Sequence, residues 1–287
     1  MSDFFDNLKQ NYLRGQFASE SENLLFEGLD FLWEQRYLYK YSNADNGIDN
    51  LFNSQIYFNS PVKFNDNKDC STKLLRCSKE LALDILKRSL ESAHKKKYSL
   101  EQIQKLNNQN HIKGELFSSA FEATKKAMIE KVRVTCFSTK YLNELMWAHY
   151  ADSYKGVCIE YDGYGLIRHF NSTPKAPSFL RVKYIENLKP VILNGDDNKG
   201  KLISWLAYKS EYYSYEDEIR RLFTNHDNVP NPLPIPASCY SAIYLGTRIS
   251  SENREKVLQH VSEKKSWVKV YNIELDDDLR ISCSRIH

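Results

Sequence analysis

"YEDEIRRLF", residues 215–223, is the stretch on which the fold turns. Read as a strand, it alternates its side chains, so Glu216, Glu218 and Arg220 share one face, with apolar Ile219, Leu222 and Phe223 following. Two carboxylates on one strand face repel unless a cation or a ligand lies between them, and Arg220 is such a cation. The plain alternative is a solvated edge strand, whose charges block edge-to-edge pairing. Composition alone favours that alternative.

Outward from this stretch, the chain has 287 residues, enough to bury a sizeable core in one large domain or two small ones. Tyr (19) and Phe (14) are plentiful, which argues against a disordered chain. Forty Lys and Arg against 37 Asp and Glu leave a net charge of +3, too small to imply nucleic-acid or anionic-membrane binding. The beginning, "MSDFFDNLKQNYLRGQ", lacks the pattern of a signal peptide, and no apolar run reaches the ~18 residues of a spanning helix. The six dispersed cysteines contain no C-x-x-C pair and read as reduced thiols. The expected setting is cytoplasmic, with no membrane partner.

Residues 19–35 are expected to be helical, and 1–36 form a helical lead-in to a single domain over 37–287. "YLYKYS" (37–42) is an aromatic strand, 43–54 opens with helix-capping residues, and 55–66 is a strand ending at Ser60-Pro61. Two charged amphipathic helices between 73 and 131 read as a helical insertion. Strands follow at 132–138, 155–162 and 179–185, with helices at 142–151 and 201–213. The alternating prolines 230, 232, 234 and 236 make an extended loop. A strand at 241–246, a helix at about 250–263 and a strand at 267–275 finish the pattern. Short strands with helices clustered early indicate α+β rather than alternating parallel α/β. Neither G-x-G-x-x-G nor G-x-x-x-x-G-K-[ST] occurs, which removes the two commonest phosphate-cradling loops.

Three further groups bear on chemistry. In "CFSTKYLNELMWAHYADSYKGVCIEYD" (136–162), Cys136 and His149 resemble a nucleophile and base only by residue type, and Cys136 reads better as a small buried hydrophobe. Trp147 and Tyr150, three apart, lie on one helix face and are most simply core. Lys40 alternates with Tyr39 and Tyr41, so it faces solvent or a cleft if the tyrosines face inward. Asn65, Asp66 and Asp69 sit in a loop and read as an Asx-turn. A cation site from Asp66, Asp69, Glu216 and Glu218 matches no known hard-cation loop.

Taken together, the stretches "YLYKYSNADNGIDNLFNSQIYFNSPVKFND", the 136–162 motif, "YKSEYYSYEDEIRRLF" and "AIYLGTRIS" resemble, in order, a bacterial domain-of-unknown-function family, number twenty-nine-seventy-one, over most of 37–275. The label names no activity. More distantly, an aromatic-x-aromatic strand, a helix and "SPVKFND" resemble the start of ADP-ribosyltransferase-like domains. That likeness implies a split antiparallel sheet carrying the 73–131 insertion, NAD as substrate, and transfer of ADP-ribose to a macromolecular acceptor, protein or nucleic acid. It would suit a toxin or phage-defence effector with a neutralising antitoxin or a chaperone as partner. It implies that Glu218 stabilises the ribosyl cation, Glu216 orients or activates the acceptor, and Ser138 supports the glutamate. Lys40 with Tyr39 and Tyr41 would bind the dinucleotide, Trp147 or Tyr150 would stack on nicotinamide, Arg220 would hold phosphates, and Asn65 and Asp66 would meet substrate. The chain departs from the pattern in placing Lys40 where Arg or His is usual, a point charge without a planar fork. Two other readings remain: a Mg²⁺-dependent nuclease using Asp66, Glu216 and Glu218, and a non-catalytic binding module on the same fold.

Overall fold

The computed structural model describes residues 35–109, 115–171, 179–195, 198–224, 230–278 and 280–287. The expected helix at 19–35 and the lead-in over 1–36 lie almost wholly outside the described residues.

The aromatic segment forms β1, Tyr37–Ser42, and its alternation decides the layering. Leu38 enters one core with Phe137, Ile159 and Ile219, while Tyr39 and Tyr41 enter another on the opposite side. The central sheet has the order β14-β13-β12-β5-β1-β4-β10-β6. Its strands are β4 (Val132–Ser138), β5 (Val157–Asp162), β6 (Phe179–Arg181), β10 (Glu218–Thr224), β12 (Tyr240–Leu245), β13 (Lys269–Leu275) and β14 (Ile281–Arg285). Every neighbouring pair is antiparallel except β12 and β13. The architecture is therefore mixed α+β.

One junction in this sheet is thin. β1 pairs with β5 from Tyr37 to Ser42, but meets β4 only at Tyr39↔Ser138. Beyond that pair the two strands part, dividing the sheet into β14-β13-β12-β5-β1 and β4-β10-β6. The backbone groups freed on β4 still need partners. Asn59 supplies them at Val134, through two 2.8 Å hydrogen bonds, and the Lys40 ammonium donates to the Cys136 carbonyl at 3.2 Å.

Helices cover the two halves differently. Ala44–Phe52 (α1) packs on the Leu38 side, where Ile48 and Leu51 are buried. Asn43 caps it, its side chain accepting from the Asn46 N–H at 2.9 Å. Three helices make the insertion: Lys79–His94 (α2), Leu100–Gln109 (α3) and Glu115–Lys131 (α4). On the Tyr39 side, Glu144–Tyr150 (α5) inserts Trp147 against Tyr41, with ring centroids 5.3 Å apart. Gly163–Asn171 (α6) joins α1 on the Leu38 side, and Asn198–Ala207 (α7) sets Trp205 and Leu206 against Val132 and Val134. Ser251–Lys264 (α8) links the parallel pair β12 and β13.

Several expected boundaries move. The insertion opens with a 3₁₀ turn at Thr72–Leu74 and a short strand, β3 (Leu75–Cys77), which pairs with β8 (Val191–Leu193) before the helices begin. The strand expected over 55–66 is only β2, Gln55–Ile56, paired with β11, Leu233–Pro234. The strand expected over 179–185 breaks into β6 and β7 (Lys183–Ile185): the Val182 N–H still bonds the Glu218 carbonyl of β10 at 2.9 Å, and the next three residues change partner to Tyr208–Ser210. The helix expected over 201–213 ends at Ala207, and Tyr208–Ser210 (β9) then pairs with β7. β14 lies beyond the last expected strand.

After α5, Asp152, Ser153 and Tyr154 all adopt positive φ (47°, 52° and 66°). Left-handed backbone costs non-glycine residues roughly 1–2 kcal/mol each. Local bonds offset this: Ser153 and Tyr154 N–H donate to the Ala148 and Trp147 carbonyls at 3.1 and 3.2 Å, and the Tyr154 ring stacks on Trp147. Gly156 closes the turn so tightly that a Cβ there would lie 2.1 Å from the Ser42 carbonyl oxygen. Gly156→Ala is expected to destabilise the protein by about 1–3 kcal/mol, since backbone must shift to admit the methyl group. Urea denaturation measures this, and an unchanged midpoint would refute the close contact.

All six cysteines are free thiols. Among the described residues no helix is long and apolar enough to cross a membrane.

Candidate active site

Tyr39, Ser138 and Glu218 are in register across β1, β4 and β10, so their side chains leave the same face where the sheet parts. A cleft of about 680 Å³ opens there. Glu216 reaches this cleft by another route than expected. It is not in the strand but ends a 3₁₀ stretch, Glu211–Glu216, and Asp217 in a left-handed conformation (φ 44°) turns the chain into β10. Both glutamates are buried and line the cleft.

Lys209, on β9, is the cation between them. Its ammonium lies 2.5 Å from Glu216 Oε2, 3.3 Å from Glu218 Oε2 and 3.3 Å from Asp69 Oδ2. Arg220 closes the network from behind. It forks to Asp69 (Nη1–Oδ1 2.9 Å, Nη2–Oδ2 2.6 Å) and to Glu218 (Nε–Oε1 2.8 Å, Nη2–Oε2 3.0 Å), and donates to the Leu206 carbonyl at 2.8 Å. Tyr150 donates to Glu216 Oε1 at 2.6 Å, and the Glu218 N–H donates to Tyr184 Oη at 2.9 Å. Three buried carboxylates thus share two buried cations.

The two glutamates titrate apart. Burial and then the adjacent Glu218 charge push Glu216 up to about 7, against the pull of Lys209. Burial also acts to raise Glu218, but Arg220 and Lys209 outweigh it and hold Glu218 well below the usual carboxylate range. Lys209 is raised: burial opposes its charge, and Glu218 leads the carboxylates that overcome this. The linkage signs differ. Glu216 has a folded pKa above its ordinary 4.5, so its contribution is full below about pH 4.5 and is lost as pH rises through about 7. Glu218 contributes above pH 4.5 and loses its contribution only as pH falls toward its depressed folded value. Between pH 5 and 8 the Glu216 contribution is expected to fall by up to about 3 kcal/mol. Denaturation of native protein and Glu216→Gln at both pH values tests this, since the variant should lose that part of the slope; equal slopes would contradict it.

The expected site residues divide into those that meet the cleft and those that do not. Glu216, Glu218, Ser138, Tyr150, Lys40, Tyr39, Tyr41, Asn65 and Asp66 all line it. Tyr39 and Tyr41 do so only as wall, being largely core, and the Tyr41 hydroxyl donates to the Lys140 carbonyl at 2.9 Å. Lys40 leaves the face opposite Glu218 by alternation and donates to Thr135 Oγ1 at 2.8 Å. Asp66 makes the Asx-type contact its loop suggested, accepting from the Lys68 N–H at 2.9 Å.

Three expected roles are corrected. Trp147 is fully buried, its indole N–H donating to the Tyr141 carbonyl at 2.8 Å, so it cannot stack on a ligand in the cleft. Arg220 is fully buried with its guanidinium occupied, so it steadies Glu218 rather than holding substrate phosphates. The Ser138 hydroxyl accepts from the Lys140 N–H at 3.1 Å, and the β4 group that hydrogen-bonds Glu218 is the Cys136 thiol. Burial keeps that thiol protonated, consistent with a donor and not a nucleophile.

Sequence reasoning missed Lys209 altogether and placed Asp69 in a loop, joining it to Glu216 and Glu218 only as a candidate metal site. A signal for Lys209 existed: a helical stripe through Leu206 needs apolar residues at 209 and 210, and these are Lys and Ser. Nothing local marked Asp69, whose partner Arg220 is 151 residues away. The metal reading meets a different obstacle. The carboxylates of Asp69, Glu216 and Glu218 already hold Lys209 and Arg220, and among the described residues no three His, Cys, Asp or Glu side chains form a metal-ligating group.

Fold and site together define an α+β protein whose mostly antiparallel sheet parts beside a buried carboxylate–cation network. The family model described as "Protein of unknown function (DUF2971)" matches residues 146–221, and that match supports placing the chain in this family. It spans α5 to β10 and so includes Tyr150, Lys209, Glu216, Glu218 and Arg220. No curated protein and no solved structure matches the chain.

Proposed function

We propose that the cleft transfers ADP-ribose from NAD to a macromolecular acceptor. The observation that carries this reading is the glutamate pair: two carboxylates at one parting of the sheet, one held ionised and the other poised near neutrality. Environments that push two neighbouring carboxylates apart mark an acid–base pair. The adjacency of β1, β4 and β10, the strands named by the distant ADP-ribosyltransferase likeness, supports it further. So does the cleft volume, which lies within the roughly 300–1,000 Å³ of small-molecule sites.

In this scheme the bond between the ribose anomeric carbon and the nicotinamide nitrogen breaks, and its electron pair leaves with nicotinamide. The oxocarbenium-like ribose that develops is stabilised by the Glu218 carboxylate. The acceptor's nucleophile bonds to the anomeric carbon and gives its proton to Glu216, whose pKa suits a general base near neutral pH. Tyr150 and Lys209 orient Glu216, and Arg220 keeps Glu218 charged.

Purified protein incubated with NAD labelled in the adenylate, in cell lysate, should release nicotinamide and label a macromolecule whether or not a chelator is present. No release and no transfer across protein and nucleic-acid acceptor pools would end this reading, and abolition by chelator would favour the nuclease class.

A further inference from the structure

On the Leu38 side of the parted sheet, Asn50, on α1, is among the residues that line the cleft. Asn50 is only 6% exposed, yet its amide makes no hydrogen bond among the described residues; the Tyr240 hydroxyl donates instead to its backbone carbonyl, at 2.6 Å. The amide is not sealed in the interior, because the enclosed side-chain atoms without partners are on Asp66, Tyr161, Arg221 and His260. Because Asn50 lines the cleft, the cleft is where a ligand can meet this amide. Polar groups this little exposed are ordinarily hydrogen-bonded, so an amide without a protein partner is available to a ligand.

Asn46, one turn earlier, lines the same cleft, and its side chain is also free of hydrogen bonds among the described residues. Positions four apart share a helix face. Asp49, between them, already accepts from Asn53 Nδ2 at 2.7 Å and Gln55 Nε2 at 2.8 Å. An amide offers one acceptor and two donors in a plane, so its natural complement is a planar group with a donor and an acceptor side by side.

We infer that Asn50, with Asn46, reads a carboxamide or the amino edge of a purine entering the cleft from the Leu38 side. Naming those two sources rests on the NAD reading, which contains both; the amide site itself stands without it. The Tyr240 hydroxyl fixes the main chain of Asn50, from which the amide projects.

Calorimetric titration with nicotinamide, and separately with AMP, decides the matter. One of the two probes should bind, and Asn50→Leu should weaken it at least tenfold with the circular-dichroism spectrum retained. Asn50→Asp, nearly isosteric and lacking the donors, should weaken it comparably and replaces the leucine variant if that one fails to fold. The probe that binds tells which half of a dinucleotide sits against α1. Binding of neither probe, or binding indifferent to both substitutions, overturns the inference. Asn50-dependent binding with no nicotinamide release from NAD would instead leave this site standing and remove the transferase reading.

Discussion

Arg220→Met is expected to lower the stability of the protein by about 3–5 kcal/mol, the cost of breaking a buried ion pair and leaving its partner charged. Arg220 has no exposed surface, and its removal strands Asp69 and Glu218, which only Lys209 would then neutralise. Both carboxylates would have to protonate or draw water into the core. The large effect belongs to the unpaired charges and not to the loss of attraction alone. Arg220→Met combined with Asp69→Leu and Glu218→Leu should therefore recover part of the loss, because apolar replacement of a whole buried network can approach neutrality. Urea denaturation of the two variants measures both effects. A loss below about 1 kcal/mol for the single variant would mean that the network is wetter and weaker than its geometry implies.

Under the proposed transfer, the second large effect separates the two glutamates. Glu216→Gln is expected to reduce transfer to the acceptor by about 10²–10⁴-fold, since Gln cannot take the acceptor's proton. Nicotinamide release to water should persist at a reduced rate, because Glu218 keeps its charge through Arg220. Glu218→Gln should abolish both, because the charge that stabilises the ribosyl cation is gone. Measuring transfer and nicotinamide release in parallel tests the assignment. Identical losses in both assays for both variants would show that the pair acts only as structure, and a binding module would be indifferent in any cellular readout to Glu218→Gln.

Much of the fold was legible in the sequence because its cues are local. "YLYKYS" reads as a strand from its aromatic alternation, Asn43 marks the start of α1, and two of the three insertion helices, α2 and α4, declare themselves by period, whereas α3 (Leu100–Gln109) was not expected and runs into the stretch read as an exposed connection. The failures share one cause. Residues 201–213 carry apolar residues at helical spacing, but Tyr208–Ser210 pairs with β7, and that pairing overrides local propensity. Glu216 was placed in the strand by period two, whereas a left-handed Asp217 interrupts it. The residue still arrives beside Glu218, so the juxtaposition was right for a wrong local reason.

Residue type and spacing determined by themselves that 215–223 carries two acids and a base close together, and that 37–42 and 132–138 are strands. Only the tertiary structure decided what those charges face. β1 leaves β4 after one residue pair, which opens the cleft, and β9 brings Lys209 between the carboxylates from a segment that reads as helix. Arg220 turns inward to Asp69 across 151 residues, so the base that looked available to a ligand is the one most completely sealed. Charge interaction depends on distance and burial, and neither is a property of sequence separation.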